Sequence, residues 1–216
     1  MPSPQTTALA AQLSDPDLRL LSGRFHSHIT VRTTPDTLRS FCRGRALKAT
    51  VIDLADFDGR AQRDVMTTAY HRGTIEDVGA QLSRTVVALE GAGLAPLRVK
   101  LEHESLPTIE PFTAHRYREV HVKLAIPEDD YAARMDALRA MAPAWGFVPS
   151  RNPYQRRAGH LLQFLNLRFY DGGLDAVAEK TDALSAALSR EGLRIVEIKA
   201  ETAVIDTAHS VDAWWA

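Results

Sequence analysis

Hydrophobic and polar positions alternate strictly along FHSHITV, so that Ile29 and Val31 share one face while His26, His28 and Thr30 share the other. The same period of two recurs in LRVKLE, EVHVKL and EIKAE. There Val99, Leu101, Val120, Val122, Leu124, Ile198 and Ala200 form an apolar face. Arg98, Lys100, Glu102, Glu119, His121, Lys123, Glu197, Lys199 and Glu201 form a polar one, joined by Asn166 and Arg168 from LLQFLNLRFY. Between the strands the period lengthens to that of a helix. Ile75, Val78, Leu82, Val86 and Leu89 form one stripe, and Leu174, Val177, Leu184 and Leu188 another. Gly93 and Gly192 follow these helices where left-handed caps are expected. Pro35 and Pro127 stand where the first turns of two further helices are expected.

Residues 73–102 and 172–201 match at a constant offset of 99, and the strands carrying His28 and His121 match at an offset of 93. The order strand, helix, strand, strand, helix, strand therefore occurs twice. This predicts an α+β protein, a tandem duplication of a ferredoxin-like β-α-β-β-α-β unit. Two antiparallel sheets would then turn their polar faces toward a shared cleft. The expected division is an N-terminal arm over 1–22, a first unit over 23–102, a linker over 103–116, and a second unit with a C-terminal extension over 117–216. The arm is expected to be frayed or a short docking helix. Trp214 and Trp215 are read as a packing anchor, with a homodimer contact as one use.

Composition narrows the chemistry more than the fold. A formal net charge of −1 excludes a global field that would draw nucleic acid or an anionic membrane. No apolar run approaches the roughly 20 residues of a membrane span, and the N-terminal residues lack a signal-peptide pattern, so a cytoplasmic location is expected. The single cysteine, Cys42, excludes an intramolecular disulfide and is read as a buried small residue. No phosphate-binding glycine loop or nucleophile elbow appears.

The expected cleft is lined by His28, His121, Thr30, Lys100, Lys123, Arg168 and Lys199, with Arg151 at its mouth. His28-Ile29-Thr30 on a strand resembles one His-x-Thr motif of the two-histidine phosphoesterases. The resemblance implies that His28 and His121 act as general acid and base in a phosphodiesterase-like hydrolase. It also implies that the Thr30 hydroxyl binds phosphate. The basic residues of the polar faces, Lys100, Lys123, Arg168 and Lys199, with Arg151 from the hairpin, are then expected to help hold an anionic small molecule, nucleotide or RNA end, with no cofactor. The second copy reads His121-Val122-Lys123, which departs from the motif. An alternative rests on donor type alone. His26, His28, Glu102, His121 and Glu201 form a His/Glu set suited to a divalent transition metal, although the neighbouring lysines repel a cation. A third reading is a non-catalytic ligand-binding or interaction protein.

Overall fold

The computed structural model describes residues 3–55, 61–106 and 116–208. Helix α1 (Pro4–Leu13) precedes strand β1 (Ser22–Val31), helix α2 (Pro35–Cys42), strands β2 (Lys48–Ala55) and β3 (Ala61–Thr74), helix α3 (Ile75–Gly91) and strand β4 (Pro96–His103). Strand β5 (Tyr117–Pro127) follows, then α4 (Tyr131–Trp145), β6 (Val148–Arg157), β7 (His160–Phe169), α5 (Leu174–Arg190) and β8 (Arg194–Asp206). The caps are local chemistry. Thr34 and Thr74 accept from the backbone N–H groups of Thr37 and Asp77, and Pro35 occupies the first turn of α2. Gly93 and Gly192 take φ of 75° and 68°, and Leu94 and Leu193 then bond back to Leu89 and Leu188. Pro127 instead ends β5, and α4 begins only after the acidic turn Glu128–Asp130.

The strands close into one antiparallel barrel in the order β1-β3-β2-β6-β7-β5-β8-β4. This overturns the expected pair of ferredoxin-like sheets and, with it, internal duplication as an account of the fold. Strands from both repeat segments are hydrogen-bonded neighbours: β4 pairs with β8 from Lys100↔Asp206 to His103↔Thr202, and β2 meets β6 at Asp53↔Arg151 and Leu54↔Ser150. The physical reason is the edge. Two open sheets would expose unpaired N–H and C=O groups on β2, β4, β6 and β8, and closure pairs them.

The apolar faces lie outside the barrel, under the helices. Ile29, Val99, Leu101, Val78, Leu82 and Val86 belong to one cluster, and Val120, Val122, Leu124, Leu165, Leu184 and Leu188 to another. Cys42 is buried in the first. The N-terminal segment is docked: Leu9 is buried, and the Gln12 side chain bonds both the N–H and the C=O of Asp206, at 2.9 and 3.0 Å. Much of the expected linker, and Trp214 and Trp215, lie outside the described residues. Among the described residues no helix is long and apolar enough to cross a membrane.

The β2–β6 seam is short, whereas β5 and β7 stay in register from Arg118↔Phe169 to Pro127↔His160. Amide protection follows the density of such pairing. Hydrogen exchange should therefore be faster at Asp53 and Arg151 than at Val120 and Val122 by about two orders of magnitude or more. Equal protection on the two sides would mean that closure is uniform around the barrel.

Candidate metal centre

Closure converts the face of each strand that turns away from the helices into the wall of an internal cavity of about 570 Å³. Eight strands leave an interior just wide enough for side chains or one small ligand. Of the residues expected at the site, His26, His28, Thr30, Lys100, Glu102, His121, Lys123, Arg168, Lys199 and Glu201 all line it. Arg151 does not. Its neighbours Ser150 and Asn152 face the lumen, and strand alternation turns Arg151 outward, with its guanidinium 3.9 Å from Asp53 and over the Tyr131 ring. Arg156 pairs with Glu128 outside the barrel, at 3.2 Å.

The potential ligands come from four contiguous strands, β1, β4, β8 and β5. The cross-strand pairs His26↔Glu102, Glu119↔Glu201 and His121↔Lys199 set them side by side. His26 Nδ1 lies 3.4 Å from Glu102 Oε2, and His28 Nε2 lies 3.5 Å from the same oxygen. His26 Nδ1 is 3.8 Å from Glu201 Oε1, and His121 Nε2 is 3.7 Å from Glu201 Oε2. These atoms form two overlapping groups, His26–His28–Glu102 and Glu102–His121–Glu201, each with its ligand atoms within 4.8 Å of one another. The gaps exceed the N–H···O range of about 2.7–3.2 Å. They approach the spacing of neighbours around a tetrahedral ion, about 3.3 Å for bonds near 2.0 Å.

The other sides of the imidazoles are held. His121 Nδ1 is 2.8 Å from Asn166 Oδ1, and the Asn166 amide donates to Val148 O at 3.0 Å and Ser150 Oγ at 2.9 Å. The amide thus presents its oxygen to His121, so Nδ1 carries the proton and Nε2 faces the carboxylates. His28 Nδ1 is 3.1 Å from Thr68 Oγ1, which in turn donates to Thr50 at 2.9 Å. His26 is different. It stacks on Tyr70 at 4.4 Å, and among the described residues neither ring nitrogen has a hydrogen-bond partner. Burial holds its imidazole below the ordinary range, against the pull of Glu102.

Carboxylates and cations alternate below this layer. Lys100 Nζ contacts Glu119 and lies 2.6 Å from Glu102 Oε1, so Glu102 gives one oxygen to the lysine and turns the other to the histidines. Arg168 Nε donates to Glu119 Oε1 at 3.1 Å. Burial opposes the Glu119 charge, but Lys100 and Arg168 outweigh it and hold the carboxyl at about 2. Burial likewise opposes the Lys100 ammonium, and Glu102 and Glu119 together hold it well above its usual range. Glu201 is the exception among the acids. Burial and the nearby Glu102 charge push it up, despite Lys199 at 2.7 Å. Lys123 pairs with Glu197 at 3.2 Å. Arg98, Asp206 and Tyr117 form a buried triad, with Arg98 Nε 2.8 Å from Asp206 Oδ1 and Tyr117 Oη 2.9 Å from Oδ2.

Alternation alone put Glu119 on this face without giving it a role. Its directly opposed partner Arg168 is a property of register. Tyr70, Thr68 and Asp206 were missed because their strands meet β1 and β4 only on folding.

No family model matches the sequence, and no curated protein matches it. Among solved structures, the chain is similar to an aldoxime dehydratase in complex with butyraldoxime, at 11% identity and a TM-score of 0.43, covering 90% of this chain and 82% of that one. It is also similar to an anthrone oxidase-like protein, at 11% identity and a TM-score of 0.34, covering 87% and 94%. At these values neither likeness carries an argument about chemistry.

Proposed function

We propose that the barrel is a metal-dependent enzyme, holding a divalent transition-metal ion on His26, His28, Glu102, His121 and Glu201. The observation behind this reading is the set of nitrogen-to-oxygen gaps of 3.4–3.8 Å that converge on Glu102 and Glu201. They are longer than ordinary hydrogen bonds and suited to ligands around one ion. His26 sharpens the point, because a buried imidazole whose charge burial disfavours, with neither nitrogen in a well-formed hydrogen bond among the described residues, is an available ligand. The Thr68 and Asn166 contacts to the far nitrogens of His28 and His121 are the outer-shell bonds that orient metal-bound imidazoles. Mixed imidazole and carboxylate donors suit zinc, manganese, iron or nickel, with positions left open toward the cavity. Such an ion supplies Lewis acidity to a bound oxygen.

The cations expected to hold phosphate point the other way. Lys100, Lys123, Arg168 and Lys199 are each set against a carboxylate. The phosphate-binding and hydrolase readings are therefore set aside. The same lysines compete with a metal for Glu102 and Glu201, so moderate affinity is expected.

Elemental analysis of protein purified without chelator should find a transition metal at about one equivalent. Lys199→Met should tighten cobalt(II) binding several-fold by freeing Glu201, and His26→Ala should weaken it at least about tenfold. A chain that takes up no divalent ion from a zinc, manganese, iron, cobalt and nickel panel would overturn the proposal.

A further inference from the structure

The two arcs of the barrel wall differ in kind. Strands β1, β4, β8 and β5 carry the histidines and glutamates. The opposite arc, β3, β2, β6 and β7, turns Ile52, Leu54, Met66 and Phe164 into the same cavity. Cross-strand pairs put these four together: Thr50↔Met66 and Ile52↔Asp64 on one side, Leu54↔Ser150 and Ser150↔Phe164 on the other. Interior apolar residues of a barrel usually pack one another, yet Ile52, Met66 and Phe164 remain partly accessible from the lumen. Hydroxyl and amide groups of Thr50, Ser150 and Asn152 interrupt the patch. Its charged members are Asp64, which accepts from Gln62 Nε2 at 2.8 Å, Lys48 beside Thr68, and the Glu119-paired Arg168.

From this asymmetry we infer that the substrate is a neutral, mostly apolar organic molecule of one or two rings, bearing a single oxygen donor. The rings lie on Ile52, Leu54, Met66 and Phe164, and the oxygen faces His26, His28 and Glu102. The oxygen end of this inference rests on the metal reading above, whereas the ring end rests on the apolar arc alone. An anionic ligand is disfavoured. On the apolar arc it would face Asp64 as well as Lys48, and the Arg168 guanidinium there is set against Glu119. On the other arc the Lys100 and Lys199 ammonium groups are set against Glu102, Glu119 and Glu201. A charged group that enters without a new partner bears its full desolvation cost. The cavity volume of about 570 Å³ lies within the range of small-molecule sites and admits such a ligand with water to spare.

Calorimetric titration of the full chain with 1-naphthol, 1-naphthoate and 1-naphthyl phosphate tests the class, first on chelator-treated protein and then on cobalt(II)-loaded protein. Naphthol should bind the metal-free protein at least about tenfold more tightly than either anion. Phe164→Ala should weaken it by about tenfold or more, as loss of apolar contact does in such sites. Ile52→Asn, which keeps side-chain size and adds polarity, should weaken it as well, and circular dichroism checks that each variant is folded. Cobalt loading should tighten naphthol further and shift the cobalt absorption bands. Naphthol binding with no metal uptake would leave the apolar site standing and sink the metal reading. Metal uptake with no naphthol binding, with anions bound equally well, or with naphthol indifferent to both folded variants would overturn the substrate class and leave the metal centre intact.

Discussion

Glu102→Gln is expected to lower the affinity for a divalent ion by more than about a hundredfold, beyond what loss of an outer-shell partner costs. Glu102 is the one residue common to both ligand groups, so no subset of the remaining donors rebuilds either. Its Oε2 faces His26 and His28 while Oε1 is held by Lys100 at 2.6 Å. The amide keeps the shape but removes the charge, and the Lys100 ammonium then stands near the ion with Glu119 alone to balance it. Loss of charge and gain of repulsion act in the same direction. Competition against a calibrated chelator measures the change, with circular dichroism to show that the barrel persists. Glu197→Gln, a change in an exposed carboxylate that pairs Lys123 rather than the histidines, is the matched comparison. Retention of wild-type metal affinity by Glu102→Gln would remove Glu102 from the centre and leave the two groups without a link.

Much of the cavity lining was legible before folding, and the reason is the period of two. Alternation assigned His26 and His28 to one face of their strand, and His121 and Glu201 to the matching faces of theirs, whatever those strands later paired with. Closure was not legible. A strand destined to seal a barrel through Asp53↔Arg151 has the same alternation as one that edges an open sheet. Nothing local marks β4 and β8 as neighbours across about a hundred residues of chain. The misreading had chemical consequences. On an open cleft Lys100 and Arg168 are solvated cations ready for an anion. Inside a barrel burial is affordable only with counter-charges, so each lies against Glu119. Arg151 failed for a simpler reason. A basic cluster in a hairpin suggested a cleft mouth, but Arg151 lies between Ser150 and Asn152, which face the lumen, and so points outward. Conversely, Ile52, Leu54, Met66 and Phe164 look like ordinary core, and only the ring of strands shows that they face histidines instead of a helix.

Arg98→Met is expected to destabilise the fold by about 3–5 kcal/mol at neutral pH, the range for breaking a buried ion pair from one side. Methionine retains most of the apolar stem, so the loss is that of the charge and its hydrogen bonds. Asp206 is fully buried at the end of β8, where Arg98 donates to both its oxygens, at 2.8 and 2.5 Å, and Tyr117 adds a third bond at 2.9 Å. Burial opposes the Asp206 charge, but Arg98 outweighs it and holds the carboxyl below its ordinary value. A carboxyl depressed on folding contributes stability that is present above the unfolded value, about 3.9, and is lost as pH falls toward the folded one. Without the guanidinium, burial is opposed only by Lys100 and the Tyr117 hydrogen bond among the groups named, and the carboxyl rises. The variant then bears the cost of a buried charge at neutral pH and sheds it by protonation as the pH drops. The deficit relative to the parent should therefore be largest near pH 7 and shrink toward pH 4. Urea unfolding at both pH values measures it. A deficit below about 1 kcal/mol, the scale of an exposed pair, or one that does not change with pH, would mean that Arg98 does not govern the Asp206 charge and that this part of the barrel is held by packing.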